Sequence, residues 1–481
     1  MPSTVKKQES YQNAILGRIR RGINFRNSRN SYSILMILHK NFIKFISHNF
    51  IWIYLSCLSL VFTINQLLPS YFNYRSSEAL SYVVGDEWCN VKYQGLGLHC
   101  FSDFHYPIQF ASSESPWSGL QNGYPPLGLL FFKPFEYIIS IFPSGVIPVI
   151  FYISVLVVAT LFPIFQAKRK KMLNNRETLF GIISVITCGP FLMAIDRGNS
   201  QLICIPLLYL FFSSILENKI KISIIYGVIL FLLKPQMIML GAIYISFRLI
   251  KIFFLWITLC LTSMILSFIV YYDNFLNNII DWLHQLLAYQ SHSNAGSPNP
   301  VNLSLANTWS LFWRICFTVF PKLTTKDPIG HWEYYSIFIT FLILTSIVAT
   351  LYFFGNRRDI AINLLLVTSL PIFLPNVVYA YYLTMYIPLF IVLYIDESKN
   401  RKFEEKNIVS QIIARLSGNS FTNNILLVSF ILTIFIPWSI PWKIIPYFSS
   451  LEWSEIGINW TIGQFILVLY FILSNFSRIS K

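Results

Sequence analysis

The 481-residue sequence carries little charge for its length. Charged residues make up 12% of the chain, whereas soluble proteins have about 25%. Hydrophobic residues make up 55%, more than a water-soluble fold of this length can hide from solvent. Several apolar runs approach the ~20 residues that a helix needs to cross a bilayer. The shortage of charge therefore excludes an ordinary soluble protein and predicts an all-α polytopic membrane protein.

Cysteine is sparse as well, and its placement does not indicate a metal site. Five of the seven cysteines lie in or beside apolar stretches, where cysteine behaves as a small buried hydrophobic residue. The other two, Cys89 and Cys100, share one predicted outer loop, where a disulfide and two free thiols are both open alternatives. No Cys/His spacing typical of metal sites occurs. No cleavable signal peptide is evident, so the first apolar run is predicted to be a retained anchor.

Acidic residues are few, and basic residues are concentrated in short segments. The net charge of +15 would by itself be compatible with nucleic-acid binding. However, seven segments that can all lie on one side of a membrane hold 27 of the 36 Lys and Arg residues and only eight acidic residues. The rest of the chain holds nine basic and 13 acidic residues. This asymmetry follows the positive-inside rule and indicates membrane orientation, so we expect no nucleic-acid partner.

Hydropathy and charge parity predict one transmembrane domain over residues 46–478, preceded by a basic cytoplasmic tail at 1–45. The domain is expected to hold about 10–13 transmembrane helices, with both termini inside. Long outer loops are predicted at 70–124 and 273–331. Loops of this length are uncommon and often functional.

Two apolar stretches do not fit simple crossings. Residues 125–142 are predicted to dip into the outer face and return, because a full crossing would place the basic cluster at 168–171 outside. Lys133 and Glu136 in this stretch are spaced to pair on one helical face. The stretch 222–249 is predicted to be a helical hairpin broken at Lys234-Pro235, since broken helices occur where backbone faces protein or a watery cavity.

Ionisable residues near membrane depth are costly and usually functional. Those of this chain map to the predicted outer side: Asp103, Lys133, Glu136, Asp196, Arg197, Lys234 and Arg314. We predict that they line one outward-facing cavity, and interhelical ion pairs are the plainer alternative. Asp86 and Glu87 compete with Asp103 as functional carboxylates of the first outer loop. The three together could also hold a divalent metal ion, although no spacing requires one.

Three stretches of sequence form an ordered set of motifs. The first is Ser102-Asp103-Phe104, followed by Tyr124-Pro125-Pro126-Leu127. The second is Arg197-Gly198-Asn199-Ser200-Gln201, followed by Lys234-Pro235. The third is Asn302-Leu303-Ser304-Leu305, followed nine residues later by Arg314. In this order the stretches resemble glycosyltransferase family 87, multispanning enzymes of the GT-C structural class, except that Leu303 stands where the family usually has Gln.

The resemblance implies a GT-C-like helical bundle with long outer loops. It implies transfer of a sugar, a mannose-like hexose or a pentose, from a polyprenyl-phosphate carrier to a lipid or glycan acceptor. The reaction would take place at the outer face of the plasma membrane, with inversion and with Asp103 as the catalytic base. Substrate-binding residues are expected among the motif positions: Tyr124, Asn199, Gln201, Asn302 and Ser304. Asp86, Glu87 and Asp196 are secondary acidic candidates, and no cofactor is certain.

The chemistry of such a transfer needs few protein groups. A phosphate is a good leaving group, while the attacking hydroxyl needs one carboxylate to accept its proton. Cations that face the departing phosphate stabilise its growing charge, a role that suits Arg197, Lys234 and Arg314. Two other classes stay open, a lipid-linked sugar flippase or transporter and a polymerase or ligase of surface polysaccharide. The lack of visible internal duplication weighs against a transporter, and the short late outer loops weigh against a polymerase.

Overall fold

The computed structural model describes residues 101–118, 122–142, 146–292, 319, 360–373, 375, 380–400 and 463. Every regular element within these ranges is a helix, and the ranges contain no strand. Several predicted features lie outside the described residues: the tail 1–45, Cys89 and Cys100, and the spans near 48–69, 332–354, 421–440 and 459–476.

In the part of the chain that the structure describes, three short helices precede the first long one: α1 (Ser102–Ser112), α2 (Pro126–Leu130) and α3 (Lys133–Ile141). Both α2 and α3 begin with a proline in the first turn, where its fixed φ angle suits the helix. They are about 8 and 14 Å long, too short to cross a core of about 30 Å. These lengths are consistent with a segment that does not cross. The predicted pair of Lys133 and Glu136 is not formed within the described part of the chain, and Lys133 is exposed.

Within the described ranges, two helices are long and apolar enough to cross a membrane. These are α4 (Val146–Arg169) and the helix that begins as α10 (Ile250–Ser267) and continues through a 3-10 segment at Phe268–Asn274. Both leave large apolar side chains exposed, including Val158 and Leu266, as helices that face lipid do.

A bent pair of helices in the described chain also passes the test of length and hydropathy if it acts as one span. Helix α5 (Asn175–Thr187) and helix α6 (Gly189–Arg197) meet at an angle of 55°. Helix α5 starts with a capping box, in which the Asn174 side chain accepts a hydrogen bond from Glu177 N and the Glu177 carboxylate accepts one from Asn174 N.

The centre of the described bundle is α7 (Cys204–Leu216), which is preceded by a 3-10 turn at Ser200–Ile203. It packs against α4, against α8 (Ile220–Leu233) and against the late helix α13 (Tyr386–Asn400). Its Leu208, Phe211 and Phe212 are fully buried. A helix that is apolar on several faces is typical of the interior of a bundle.

The predicted break at Lys234-Pro235 is confirmed. Helix α8 ends at Leu233, Lys234 is extended, and a 3-10 segment at Pro235–Gly241 leads into α9 (Ala242–Ser246). Proline has no N–H to continue the helix, and it forces the residue before it out of the helical region.

One tryptophan of α10 packs between the two arms of this hairpin. A Cβ atom on Gly227 would lie 1.9 Å from Trp256 Cη2, and one on Gly241 would lie 2.5 Å from Trp256 Cδ1. The Trp256 indole Nε1 also donates a hydrogen bond to the Ile238 carbonyl at 3.1 Å. Only glycine at both positions leaves room for the ring.

The segment predicted as the second outer loop, 273–331, begins with a helix rather than with irregular chain. Helix α11 spans Phe275–His292, and the described chain resumes beyond position 292 with α12 (Ile360–Phe373) and a 3-10 segment at Ala380–Met385. Apolar side chains recur in α11 at helical spacing and pack on the core: Phe275, Ile279, Trp282 and Leu286. Polar residues lie between these apolar residues, so the sequence shows no continuous apolar run here.

Candidate functional site

Asp103, in the first turn of α1, lies beside the turn that ends α6. Asn199 Nδ2 donates a hydrogen bond to Asp103 Oδ2 at 2.6 Å. Arg197 Nε lies 3.8 Å from the same oxygen. The Arg197 side chain is 7% exposed and that of Asp103 is 21% exposed, so the pair is largely shielded but the carboxylate stays accessible. A nearly buried cation therefore lies beside the carboxylate of Asp103.

Backbone geometry brings α1 and α6 together at this point. Phe101 N donates to the Asp196 carbonyl at 2.9 Å, which joins the start of α1 to the end of α6. Gly198 adopts a left-handed φ of 63° and ends α6, as glycine commonly does at this position. A Cβ atom on Gly198 would lie 3.1 Å from Phe104 Cβ, closer than ordinary contact. Glycine therefore allows both the turn and the close approach of α1.

Tyr152 of α4 supports the same turn. Its hydroxyl donates to the Gly198 carbonyl at 2.9 Å, and its ring stacks on Phe104 with centroids 4.4 Å apart. The side chain is fully buried. Tyr152 was not among the residues predicted from the sequence. The one available signal was its position in a long apolar run, because a buried phenol there needs a hydrogen-bond partner.

Both ends of the Asn199 side-chain amide have protein partners. Oδ1 accepts a hydrogen bond from Gln201 N at 2.8 Å and so caps the 3-10 turn at Ser200–Ile203. Because a backbone N–H can only donate, Oδ1 must face Gln201, and Nδ2 must face Asp103. Asp103 Oδ1 has no hydrogen-bond partner among the residues that the structure describes.

Lys234, at the break of the hairpin, is the second buried cation near Asp103. It is 8% exposed, and its Nζ lies 4.7 Å from the centre of the Tyr124 ring, a cation–π contact. The charge of Asp103 acts on the Lys234 ammonium. In the described part of the chain, no carboxylate lies within ion-pair distance of Lys234.

Tyr124 is fixed by its own surroundings before α2 begins. Trp117 Nε1 donates to the Tyr124 carbonyl at 2.9 Å, and Tyr124 N donates to Asn122 Oδ1 at 3.0 Å. A Cβ atom on Gly128 of α2 would lie 3.2 Å from the Leu233 carbonyl oxygen, so α2 packs closely on the end of α8. The segment around Tyr124 and the hairpin break therefore meet at Lys234.

The other residues that the sequence predicts for the site differ in burial and in their contacts. Gln201 is fully buried next to Asn199, and neither atom of its amide has a hydrogen-bond partner within the described ranges. Asp196 is partly exposed and contributes its backbone carbonyl. Lys133 and Glu136 form no described ion pair with the cluster. Five further candidates and one cysteine pair lie outside the described residues: Asp86, Glu87, Asn302, Ser304, Arg314, and Cys89 with Cys100.

One histidine shares helix α1 with Asp103. Burial lowers the pKa of the His105 imidazole, which keeps it neutral at neutral pH. Its Nε2 is buried and has no hydrogen-bond partner in the described part of the chain. No group of three His, Cys, Asp or Glu side chains suited to a metal ion occurs among the described residues.

The site therefore combines one partly accessible carboxylate with two buried cations, contributed by α1, α6 and the hairpin break. Such a set can accept a proton at Asp103 and stabilise an anion near Lys234 and Arg197. Neither a protein-family model nor a curated protein matches this chain.

Proposed function

We propose that the chain is a polytopic membrane glycosyltransferase that uses a polyprenyl-phosphate sugar donor. The observation that supports this most directly is the contact of Arg197 Nε with Asp103 Oδ2 at 3.8 Å, with the buried Lys234 ammonium close enough to feel the charge of the same carboxylate. One carboxylate for the acceptor hydroxyl and cations for the donor phosphate are the groups that this reaction needs.

In the proposed reaction, an acceptor hydroxyl binds beside Asp103 and its proton passes to a carboxylate oxygen. The acceptor oxygen attacks the anomeric carbon as the bond from that carbon to the phosphate oxygen breaks. The electron pair of that bond goes to the phosphate, which leaves as polyprenyl phosphate. A single displacement inverts the anomeric configuration, and Asp103 is the general base.

The surroundings of Lys234 support a role in binding the donor phosphate. Its ammonium is nearly buried and contacts an aromatic face, with no described carboxylate in ion-pair distance. A buried charge with little compensation is costly, and an anionic ligand would reduce that cost. Arg197 adds a second cation to the same region, and arginine binds phosphate with several parallel hydrogen bonds.

The membrane part of the proposal extends the helical architecture of the described chain. Helices α4 and α10 are long and apolar enough to cross a membrane, and the broken hairpin places Lys234 between two short arms. We propose a GT-C-like bundle of about 10–13 transmembrane helices in the plasma membrane, with the active site on the outer face. The acceptor is a lipid or glycan hydroxyl.

A transfer assay with a panel of radiolabelled polyprenyl-phosphate sugars tests the proposal. The assay compares membranes with wild type, Asp103→Asn and the control Asp273→Asn, which changes an exposed aspartate outside the site. Asparagine keeps the shape of Asp103 and can still accept the hydrogen bond from Asn199, but it cannot act as the base. We expect transfer by wild type and Asp273→Asn and a loss of at least about 100-fold in Asp103→Asn. Transfer at the wild-type rate by Asp103→Asn removes Asp103 from the mechanism.

Absence of transfer from every donor on the panel would contradict the proposal. In that case, a lipid-linked sugar flippase or a polysaccharide ligase takes its place, and flipping of a fluorescent lipid-linked sugar in proteoliposomes separates these two.

A further inference from the structure

We infer that Asn199 is a positioning residue that fixes which oxygen of Asp103 accepts the acceptor's proton. The resemblance of the motif led us to expect Asn199 to bind substrate. Its observed contacts favour a different role, because the amide holds Gln201 N with one end and Asp103 with the other. The inference rests on the proposed function, since it assigns the geometry of the proposed base.

The Asn199 side chain has little freedom to turn. It is 1% exposed, and its own backbone N–H donates to the Ala194 carbonyl at 2.8 Å. The cap on Gln201 N requires an oxygen at Oδ1, so a flipped amide would lose that bond and place a nitrogen against the Gln201 N–H. The direction of the hydrogen bond to Asp103 is therefore set by the backbone of the 3-10 turn.

This arrangement makes the two oxygens of Asp103 unequal. Oδ2 accepts the hydrogen bond from Asn199 and lies 3.8 Å from Arg197 Nε, so it is the oxygen that the protein already holds. Oδ1 is the oxygen without a described partner. Three charged or titratable groups act on this carboxylate: Arg197, Lys234 and Tyr152. None of them forms a described hydrogen bond to Oδ1, and the geometry therefore assigns proton transfer to Oδ1.

Asn199→Asp removes the hydrogen-bond donor of the Asn199 amide and keeps its acceptor. Aspartate has the same shape and still accepts the cap from Gln201 N, but it places a carboxylate oxygen where Nδ2 donates. Two carboxylates at this distance share one proton, which opposes ionisation of Asp103 near neutral pH. Asn199→Ser is the second variant, because serine retains a cap but is too short to reach Asp103.

Asn174 provides the matched control. It is also an N-cap asparagine, and its side chain accepts a hydrogen bond from Glu177 N in the same way, but it is exposed. Asn174→Asp and Asn174→Ser repeat the chemical changes at a cap that has no contact with Asp103. We expect both controls to transfer sugar at the wild-type rate.

Each variant is tested by two measurements. The first is the pH profile of sugar transfer. We expect Asn199→Asp to lower transfer about 100-fold at neutral pH and to move the acidic limb of its profile upward by about one pH unit or more. Asn199→Ser should lower transfer at least about tenfold with a melting temperature close to that of wild type. Wild-type rates and an unmoved profile in the folded variants would overturn the inference.

The second readout does not depend on activity. An apolar carbodiimide modifies carboxyl groups in their protonated form, and mass spectrometry of the peptides that contain positions 103 and 199 measures the extent of modification. At pH 7 we expect several-fold more labelling at position 103 in Asn199→Asp than in wild type. In Asn174→Asp we expect no change in labelling at position 103. If wild type transfers no sugar but this labelling increases, the sugar-transfer proposal fails while the coupling of Asn199 to Asp103 is supported. If the labelling does not increase, the inference is wrong whatever the transfer assay shows.

Discussion

The Tyr152 hydroxyl donates a hydrogen bond to the Gly198 carbonyl at 2.9 Å, across 46 residues of sequence. The bond joins the long helix α4 to the turn that presents Arg197 and Asn199. Its donor is fully buried, so water cannot readily replace it. Helix α4 therefore helps to determine where the cation and the amide lie relative to Asp103.

Tyr152→Phe tests this support. Loss of the hydroxyl leaves the Gly198 carbonyl without its side-chain donor, which should reduce the free energy of unfolding by about 1–3 kcal/mol. The melting temperature in detergent measures the effect. Tyr137→Phe serves as the control because the Tyr137 side chain is 70% exposed and its loss of a hydroxyl should have little effect. Equal melting temperatures for Tyr152→Phe and wild type would show that the bond does not stabilise the turn.

Gly198→Ala should destabilise the same turn through its backbone conformation and its contact with α1. The residue has a φ of 63°, and an added Cβ atom would meet Phe104 Cβ at 3.1 Å. The left-handed conformation costs a residue with a Cβ atom about 1–2 kcal/mol, and the contact with α1 adds to this. We expect a lower melting temperature and reduced transfer, because α1 carries Asp103.

Gly181→Ala is the control for Gly198→Ala. It lies inside helix α5, where an added Cβ atom would meet Ile164 Cδ1 at an ordinary 3.5 Å. Alanine favours a helix interior over glycine by about 1 kcal/mol, so Gly181→Ala should leave stability unchanged or improve it. A similar loss in both variants would mean that neither the φ angle nor the contact with Phe104 is special to Gly198.

The break at Lys234 could be predicted from the sequence, because the chemistry of proline locates it, but the contacts of the candidate residues could not. That Asp103, Arg197 and Lys234 lie on one side of a membrane stays a prediction from charge parity. Hydropathy does not tell which backbone or side-chain group a buried tyrosine hydroxyl will contact, so the role of Tyr152 could not be predicted. A motif names residues but does not show which of their atoms face each other, so the contact of Asn199 with Asp103 could not be predicted, and its contact with substrate stays a prediction.

Lys234→Met separates donor binding from stability. Methionine has a similar length and no charge, so it removes the point charge while keeping most of the packing. We expect the affinity for polyprenyl phosphate to fall at least about tenfold. The melting temperature should stay close to that of wild type or rise, since an uncompensated buried charge is lost. Displacement of a labelled polyprenyl phosphate measures the affinity.

Lys133→Met is the control for the loss of a lysine, because Lys133 is exposed on α3. It should bind the donor lipid as wild type does. An unchanged affinity in Lys234→Met, together with a large drop in melting temperature, would instead assign Lys234 a structural role in the hairpin.

Cysteine labelling in intact cells tests the orientation of the chain. Ser115 lies just after α1, and Lys170 is an exposed residue of the basic cluster after α4. The positive-inside rule places them on opposite sides. We expect an impermeant maleimide to label Ser115→Cys from outside and to label Lys170→Cys only after the cells are opened. The unsubstituted protein gives the background from native cysteines, and the reverse pattern would place the site on the inner face.

Trp256 limits how the two arms of the broken hairpin can move. The indole fills the gap between Gly227 and Gly241, and its N–H is bound to the Ile238 carbonyl. Neither arm of the hairpin can slide along the other without driving backbone atoms into the ring. The hairpin that carries Lys234 is therefore held against α10 at both arms, and in the proposed reaction we expect the donor to enter by displacing the Tyr124 side of the contact.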